Sequence, residues 1–268
     1  MNLQTKQDAL RDIIQEMNSV AVAFSGGADS TFLLKTAHNV LGDRVCAFTI
    51  RSGLVPRREL NEAEQFVQKE GIEQVVVDVD ERNIADFSQN TPNRCYLCKI
   101  VIFSQIQNIA EERGIQRIIE GSNADDVHDY RPGMRAIKEL GIRSPLQEVG
   151  LTKQEIRQLS KEMGLPTWNK PSLACYATRF PYGAEITRER LSMIDTAEQF
   201  LCDAGLGQVR VRFHGSLARI ETDEEGLNRL LSESLRTEID HRFKEIGFLY
   251  VSVDLQGYRT GSMNEMLG

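Results

Sequence analysis

Two groups of residues in this sequence have types and spacings that carry chemistry. The first is Ser25-Gly26-Gly27-Ala28-Asp29-Ser30, set between an apolar β-rich run and an amphipathic run. Two glycines let the backbone turn tightly and bring N–H groups against an anion. The start of the following helix adds partial positive charge, and Ser25 and Ser30 add hydroxyl donors. Asp29 opposes an anion until a divalent cation joins the two, because a carboxylate beside phosphates commonly holds Mg²⁺. The stretch has neither the lysine nor the length of G-x-x-x-x-G-K-[ST], and it is not G-x-G-x-x-G. The plain alternative is a glycine turn between a strand and a helix.

The second group is the cysteines. There are five, Cys46, Cys95, Cys98, Cys175 and Cys202, an odd and sparse set that is no disulfide framework. Cys95 and Cys98 stand three apart at the start of a predicted helix, so their sulfurs share a face. A helix N-terminus favours thiolate, and Arg94 and Lys99 add positive charge nearby. Cys175 lies in the loop Lys170-Pro171-Ser172-Leu173-Ala174-Cys175-Tyr176-Ala177-Thr178-Arg179. Structural zinc prefers four ligands, and no fourth Cys or His stands at finger spacing. A redox C-x-x-C would follow the first strand, where the Ser25 loop already sits. Three thiolates suit a 4Fe–4S cluster with one open iron, able to hold a transferable hydrosulfide. A second reading makes Cys175 a nucleophilic sulfur carrier, with the pair accepting or regenerating persulfide. A third leaves three unrelated core cysteines. Cys46, within a predicted strand, and Cys202, within a predicted helix, are expected to be small buried hydrophobes.

The elements that must position these groups are legible from periodicity. Strands are predicted at 19–24, 44–50, 74–79 and 117–120, alternating with helices at 29–40, 58–70 and 96–113. This alternation predicts an α/β fold with a parallel sheet and helices on both faces. Ligands on such sheets bind beyond the carboxyl ends of the strands, where the Ser25 loop stands. A helix over 152–163 opens on a capping box, Thr152 with Glu155. Residues 166–183 then hold three of the seven prolines and the only Trp, which predicts a loop or linker. A helix at 187–204, strands at 208–213, 217–221 and 249–255, and a helix near 227–246 predict a smaller α+β unit. The boundary is placed near Tyr182, giving domains of 1–182 and 183–268.

The strand–SGGxDS–helix arrangement resembles the pyrophosphatase-type loop of the N-type ATPases, the PP-loop superfamily, which cleave ATP between its α and β phosphates and adenylate a substrate. That resemblance implies ATP and Mg²⁺, with nucleotide contacts at Ala23, Phe24, Ser25, Gly26, Gly27, Asp29, Ser30, Thr49, Gly121 and Lys153. It implies that the turn Glu120-Gly121-Ser122-Asn123-Ala124-Asp125-Asp126 closes the nucleotide pocket, with Asp125 and Asp126 beside Asp29 as Mg²⁺ candidates. A polar turn capping the next helix is the plain alternative there, as a solvated lysine is for Lys153. Taken with Asn93–Lys99, Asp129-Tyr130-Arg131-Pro132-Gly133 and Lys170–Gly183, the order of motifs is similar to the ATP-dependent sulfur transferases of nickel-pincer nucleotide biosynthesis (LarE type), over roughly residues 20–263. The resemblance implies adenylation of a carboxylate of pyridinium-3,5-biscarboxylic acid mononucleotide, followed by displacement of AMP by sulfur to give a thiocarboxylate. Asp29 and Cys175 are then the catalytic candidates. One branch of the family has a single cysteine at the place of Cys175 and sacrifices its sulfur. The other adds the C-x-x-C and is associated with a 4Fe–4S cluster, here on Cys95, Cys98 and Cys175. The family also forms hexamers built from dimers, which implies a homo-oligomer in which the C-terminal domain serves substrate and assembly. An external sulfur donor is a further possible partner.

A substrate bearing phosphate and carboxylates needs cations. Arg210 and Arg212 flank Val211 on one predicted strand face, with forks suited to such groups. Arg179 and Arg259 complete the candidate set, the alternative for each being a surface arginine. Glu198 is expected on a solvated helix face, and His128 and His214 receive no role. The whole-chain arithmetic bounds all of this. With 268 residues, 41% hydrophobic and 26% charged, the chain is an ordinary globular protein rather than a disordered one. No run approaches the roughly 18 apolar residues of a membrane helix, and the N-terminus lacks a signal-peptide core, so the cytoplasm is expected. A net charge of −7 opposes nucleic acid as the main partner. A PP-loop tRNA thiolase remains the rival enzyme, to be separated by salt-sensitive tRNA binding. A nucleotide-sensing regulator is the rival outside enzymes, to be separated by substrate-dependent pyrophosphate release.

Overall fold

The four apolar runs of the first part form one parallel sheet. In the computed structural model, which describes residues 2–128, 132–171, 174–259 and 261–267, the strands are β1 (Val20–Ala23), β2 (Val45–Arg51), β3 (Glu73–Asp78) and β4 (Ile118–Ile119). Residues 129–131 and 172–173 of the motifs named above lie outside the described residues. The order β3-β2-β1-β4 puts β2 and β3 on one side of β1 and β4 on the other, so the connection order reverses beside β1. That reversal is the crevice-forming point of an open parallel sheet. Val20, Ala21 and Val22 are all fully buried, as a strand covered on both faces must be.

Helices α1 (Leu3–Gln15), α2 (Ala28–Leu41), α3 (Arg57–Glu70), α4 (Arg94–Glu112), α5 (Gly133–Glu139), α6 (Pro145–Glu148) and α7 (Lys153–Glu162) complete this part. The N-terminal α1 went unread in the sequence. Its start is set by Asn2, whose Oδ1 accepts from the Thr5 N–H at 2.8 Å, and its buried stripe is only Leu10 and Ile14. Those two join Phe32, Leu33, Phe66 and Ile156 in the core. The capping box at Thr152 forms as expected.

The second part contains α8 (Arg188–Asp203), β5 (Val209–His214), β6 (Leu217–Thr222), α9 (Glu224–Leu230), α10 (Glu233–Ile246) and β7 (Tyr250–Val253). β5 and β6 pair antiparallel, and β6 and β7 pair parallel. The single helix expected near 227–246 is two. Asp223 caps α9 through Gly226, and Ser232, in extended conformation, starts α10 anew. The chain divides into two compact units, residues 1–85 with 93–173 and residues 86–92 with 174–268. The division falls before Cys175 rather than near Tyr182, because Asn90 ties the intervening segment to residues 86–92. Its Nδ2 donates to the carbonyls of Phe180 at 3.3 Å and Pro181 at 2.6 Å. Among the described residues, no helix is long and apolar enough to cross a membrane.

Candidate active site

In the first unit the loop after β1 forms an N–H and hydroxyl cradle. Gly26 adopts φ +72°, and a Cβ there would meet the Ala63 Cβ of α3 at 3.2 Å, so glycine is required twice over. The Gly27 N–H donates to Ser25 Oγ at 3.4 Å, the Ser25 N–H to Ser30 Oγ at 3.3 Å, and Ser30 Oγ–H to the Gly27 carbonyl at 3.2 Å. These contacts sit at or beyond the long end of the hydrogen-bond range, so the donors are oriented without being strongly engaged. Gly121, beyond β4, closes on the same place. A Cβ added there would stand 3.1 Å from the Ser30 nitrogen and 3.2 Å from its Cα.

Asp29 opens α2 within this cradle. Its Oδ2 accepts from Asn123 Nδ2 at 3.2 Å, while Oδ1 is buried with no hydrogen-bond partner among the described residues. Burial pushes the Asp29 carboxyl above its ordinary range, against the opposing pull of Lys153 and Asn123. A buried carboxylate oxygen lacking a donor is costly, and a divalent cation would relieve it. The site therefore fits Mg²⁺ at Asp29. Asp125 directs Oδ2 to the Lys153 N–H at 2.9 Å, capping α7, and Asp126 directs Oδ2 to the Asn123 N–H at 3.0 Å. Lys153, the first residue of α7, is close enough to act on Asp29 electrostatically.

Two of the expected nucleotide contacts have side chains engaged elsewhere. The Phe24 ring packs on Phe66 with centroids 5.8 Å apart, and buried Thr49 accepts from Gln74 through Oγ1 at 2.9 Å. Phe24 nevertheless lines the cleft beside the loop. A cleft of about 500 Å³ adjoins the loop, lined by Gly26, Thr31, Phe66, Thr167 and Lys170 among others. Glu120, unassigned in the sequence, is buried and accepts from the Ser122 N–H, Ser122 Oγ and Ser144 Oγ, which fixes the Gly121 turn.

Cys95 and Cys98 occupy the first turn and a half of α4, both half-buried. Cys175 belongs to the second unit and precedes a short 3₁₀ turn, Tyr176–Arg179. Among the described residues, no three His, Cys, Asp or Glu side chains gather as a metal site. Cys46 is buried in β2 with its thiol pushed up to about 11 by burial, which suits packing rather than reactivity.

In the second unit Arg179 is fully buried and has five acceptors. It donates to Glu198 through Nε at 2.8 Å and Nη2 at 3.0 Å, and through Nη1 to the Ala174 carbonyl at 2.8 Å, Thr178 Oγ1 at 2.9 Å and the Cys175 carbonyl at 3.4 Å. The arginine expected to bind substrate thus holds the cysteine loop. Glu198 is not on a solvated face; it is fully buried and also accepts from the Val211 N–H at 2.9 Å. Burial alone would raise the Glu198 carboxyl, but Arg179 and Arg210 hold it below its ordinary range. The signal was present in the sequence, since Leu191, Ile194, Glu198 and Leu201 recur at i, i+3, i+7 and i+10 on α8.

Arg210 and Arg212 are both buried on β5. Arg210 lies over the Tyr258 ring, 5.0 Å from its centroid. Burial and the nearby Arg179 lower its guanidinium, with Glu198 opposing. Arg212 donates to the Thr178 carbonyl at 3.0 Å, Glu221 Oε2 at 2.6 Å and Ser262 Oγ at 3.0 Å, and its Nε is buried with no partner among the described residues. Arg259 pairs instead with Asp254 and Glu265 on a more exposed edge. Glu221 and Ser262 were not anticipated, and Glu221 is fully buried between Arg212 and Arg219.

The chain is similar to known proteins along nearly its whole length. The profile of the family described as queuosine biosynthesis protein QueC matches residues 19–185. An uncharacterised protein of Synechocystis sp. is 41% identical over 265 residues, 99% of both chains. The pyridinium-3,5-bisthiocarboxylic acid mononucleotide synthase of Lactiplantibacillus plantarum is 36% identical over 266 residues, 99% of this chain and 96% of that one. An uncharacterised protein of Methanocaldococcus jannaschii is 32% identical over 241 residues, 90% of this chain and 91% of that one.

Proposed function

The chain belongs to the pyridinium-3,5-bisthiocarboxylic acid mononucleotide synthase family of QueC-like PP-loop enzymes, and from this we propose that it converts a carboxylate of pyridinium-3,5-biscarboxylic acid mononucleotide to a thiocarboxylate at the expense of ATP. A carboxylate resists sulfur because its leaving group would be oxide. Attack of one carboxylate oxygen on the α-phosphorus of ATP releases pyrophosphate and makes AMP the leaving group. Sulfur then bonds to the carboxyl carbon, and AMP departs with the original carboxylate oxygen. The observation that carries this reading is the cradle of Ser25–Ser30, closed by Gly121, with an unsatisfied Asp29 oxygen inside it.

The cradle amides and hydroxyls hold the phosphates, Lys153 takes the departing pyrophosphate, and Asp29 holds Mg²⁺, with Asp125 and Asp126 lending their second oxygens. Mg²⁺, when bound, neutralises the phosphate oxygens. Ala23, Phe24 and Thr49 lie on the adenosine side, Phe24 lining the cleft beside the loop. Arg179, held by Glu198, fixes the loop that carries Cys175. Arg210 and Arg212 take the substrate's anionic groups, with Arg259 an outlying cation. Cys95, Cys98 and Cys175 form the ligand set of a 4Fe–4S cluster. When bound, the cluster supplies transferable sulfur, replenished by a separate donor. The two half-buried thiols at i and i+3 on α4 support two of its ligand positions. An odd and sparse set of five cysteines suits the reducing cytoplasm, and the second unit serves substrate binding and assembly into a homo-oligomer, a hexamer by family likeness.

The test is turnover of the wild type and Cys175→Ser with Mg-ATP and the biscarboxylate nucleotide, followed by mass spectrometry of the products. The wild type should release pyrophosphate and AMP and exchange one oxygen of the substrate for sulfur. Cys175→Ser should release pyrophosphate without forming thiocarboxylate. Pyrophosphate release that ignores the nucleotide substrate would overturn the reading.

A further inference from the structure

Lys170 was assigned no role above, yet it grips the backbone of the anion loop. Its ammonium lies 3.1 Å from the Gly26 carbonyl oxygen and 2.6 Å from one oxygen each of Glu59 and Glu62 on α3. An ammonium has three N–H donors, and here three acceptors surround it. The residue is also fixed by its backbone. Its carbonyl accepts from Arg157 Nη2 at 3.0 Å, and its N–H donates to the Thr167 carbonyl at 3.0 Å. Lys170 and Glu59 are nearly buried, with side chains 13% and 7% exposed, so this is no loose surface pair.

The consequence lies in the peptide that Lys170 touches. In a planar trans peptide the carbonyl of Gly26 and the N–H of Gly27 point in opposite directions. A cation holding the carbonyl therefore aims the Gly27 N–H to the far side, where it meets the Ser25 hydroxyl at 3.4 Å. The same cation polarises the peptide and strengthens that N–H as a donor. Gly26, at φ +72°, has no side chain to fix this peptide orientation. The carboxylates of Glu59 and Glu62 supply counter-charge that keeps Lys170 on the carbonyl instead of on the phosphates.

We propose that Lys170 is a positioning residue of the anion loop, which acts through the Gly26 carbonyl to orient and polarise the Gly26–Gly27 peptide toward the pyrophosphate portion of ATP. This rests on the reading of the Ser25–Ser30 loop as the ATP phosphate site, and it adds a residue and a mode of action to that site.

The test is calorimetric titration of the full chain with inorganic pyrophosphate, Mg-ATP and adenosine, in the wild type, Lys170→Met, Lys170→Gln and Lys170→Arg. The Met and Gln variants should bind pyrophosphate and ATP about tenfold more weakly or worse, the worth of one hydrogen bond to a charged group. Adenosine affinity should stay unchanged, and Lys170→Arg, which keeps the charge and the donors, should recover most of the loss. If Lys170→Met fails to fold, the Gln and Arg pair still decides the question. Wild-type affinity for pyrophosphate in the Gln variant would overturn the proposal, as would an equal loss of pyrophosphate and adenosine, which marks a mere strut. A wild type that binds neither pyrophosphate nor ATP would instead refute the nucleotide reading of the loop.

Discussion

Glu198→Gln isolates what holds the cysteine loop. The substitution keeps side-chain volume and an acceptor for the Val211 N–H, but removes the charge that faces Arg179 at 2.8 and 3.0 Å. Arg179 is fully buried and Arg210 nearly so, and both would lose their shared counter-ion. Breaking a buried pair in this way costs about 3–5 kcal/mol, roughly two to three and a half powers of ten in an opening equilibrium. Hydrogen–deuterium exchange should show that loss of protection in β5 and in the segment from Ala174 to Phe180, with β1 and β2 unaffected. The carboxyl's folded pKa lies below its unfolded value of about 4.3. Its stabilising contribution is therefore complete above that value and is lost as pH falls through the folded one. The variant should lack this acid limb. Sulfur transfer should fall while substrate-dependent pyrophosphate release persists. Less than a tenfold change in protection, with transfer intact, would refute the claim that Glu198 acts through Arg179 on the Cys175 loop.

Asp29→Asn should raise stability, since it removes a buried carboxylate whose ionised form the fold disfavours, while adenylation falls at least about a hundredfold; denaturant melts and pyrophosphate release check the two halves. Gly121→Ala places a Cβ a few tenths of an ångström too close to the Ser30 backbone, at 3.1 Å from its nitrogen and 3.2 Å from its Cα, so the loop backbone must give. We expect a loss of about 1–3 kcal/mol and a higher KM for ATP, read by thermal melts and initial rates. Cys95→Ser should prevent anaerobic reconstitution of the roughly 400 nm absorbance of a 4Fe–4S cluster. Its pyrophosphate release should match the wild type.

Most of the frame was legible because its signals are local. The four strands and the loop after the first follow from short apolar runs ended by glycine or polar turns, and the α7 start from a capping box. α1 escaped because its buried stripe is only two residues, and the break at Ser232 was hidden by helix-compatible residues on both sides. The site was legible in its glycines and cysteines but not in its ion pairs. Arg179 looked like a substrate ligand because an arginine beside a reactive loop suits anions. Its partner Glu198 lies 19 residues away, and only the fold brings the two together. Lys170 and Gly26, 144 residues apart, meet for the same reason. Periodicity marked the Glu198 position as inward, yet nothing local names the arginine that satisfies it.

The central claim is that ATP activates the substrate carboxylate and sulfur then displaces AMP. Turnover of a substrate labelled with ¹⁸O in its carboxylates tests this most directly, with AMP, pyrophosphate and product analysed by mass spectrometry. One ¹⁸O should appear in AMP for each thiocarboxylate formed, because the bridging oxygen of the adenylate leaves with the phosphate. AMP free of label, or label found in pyrophosphate, would contradict the account.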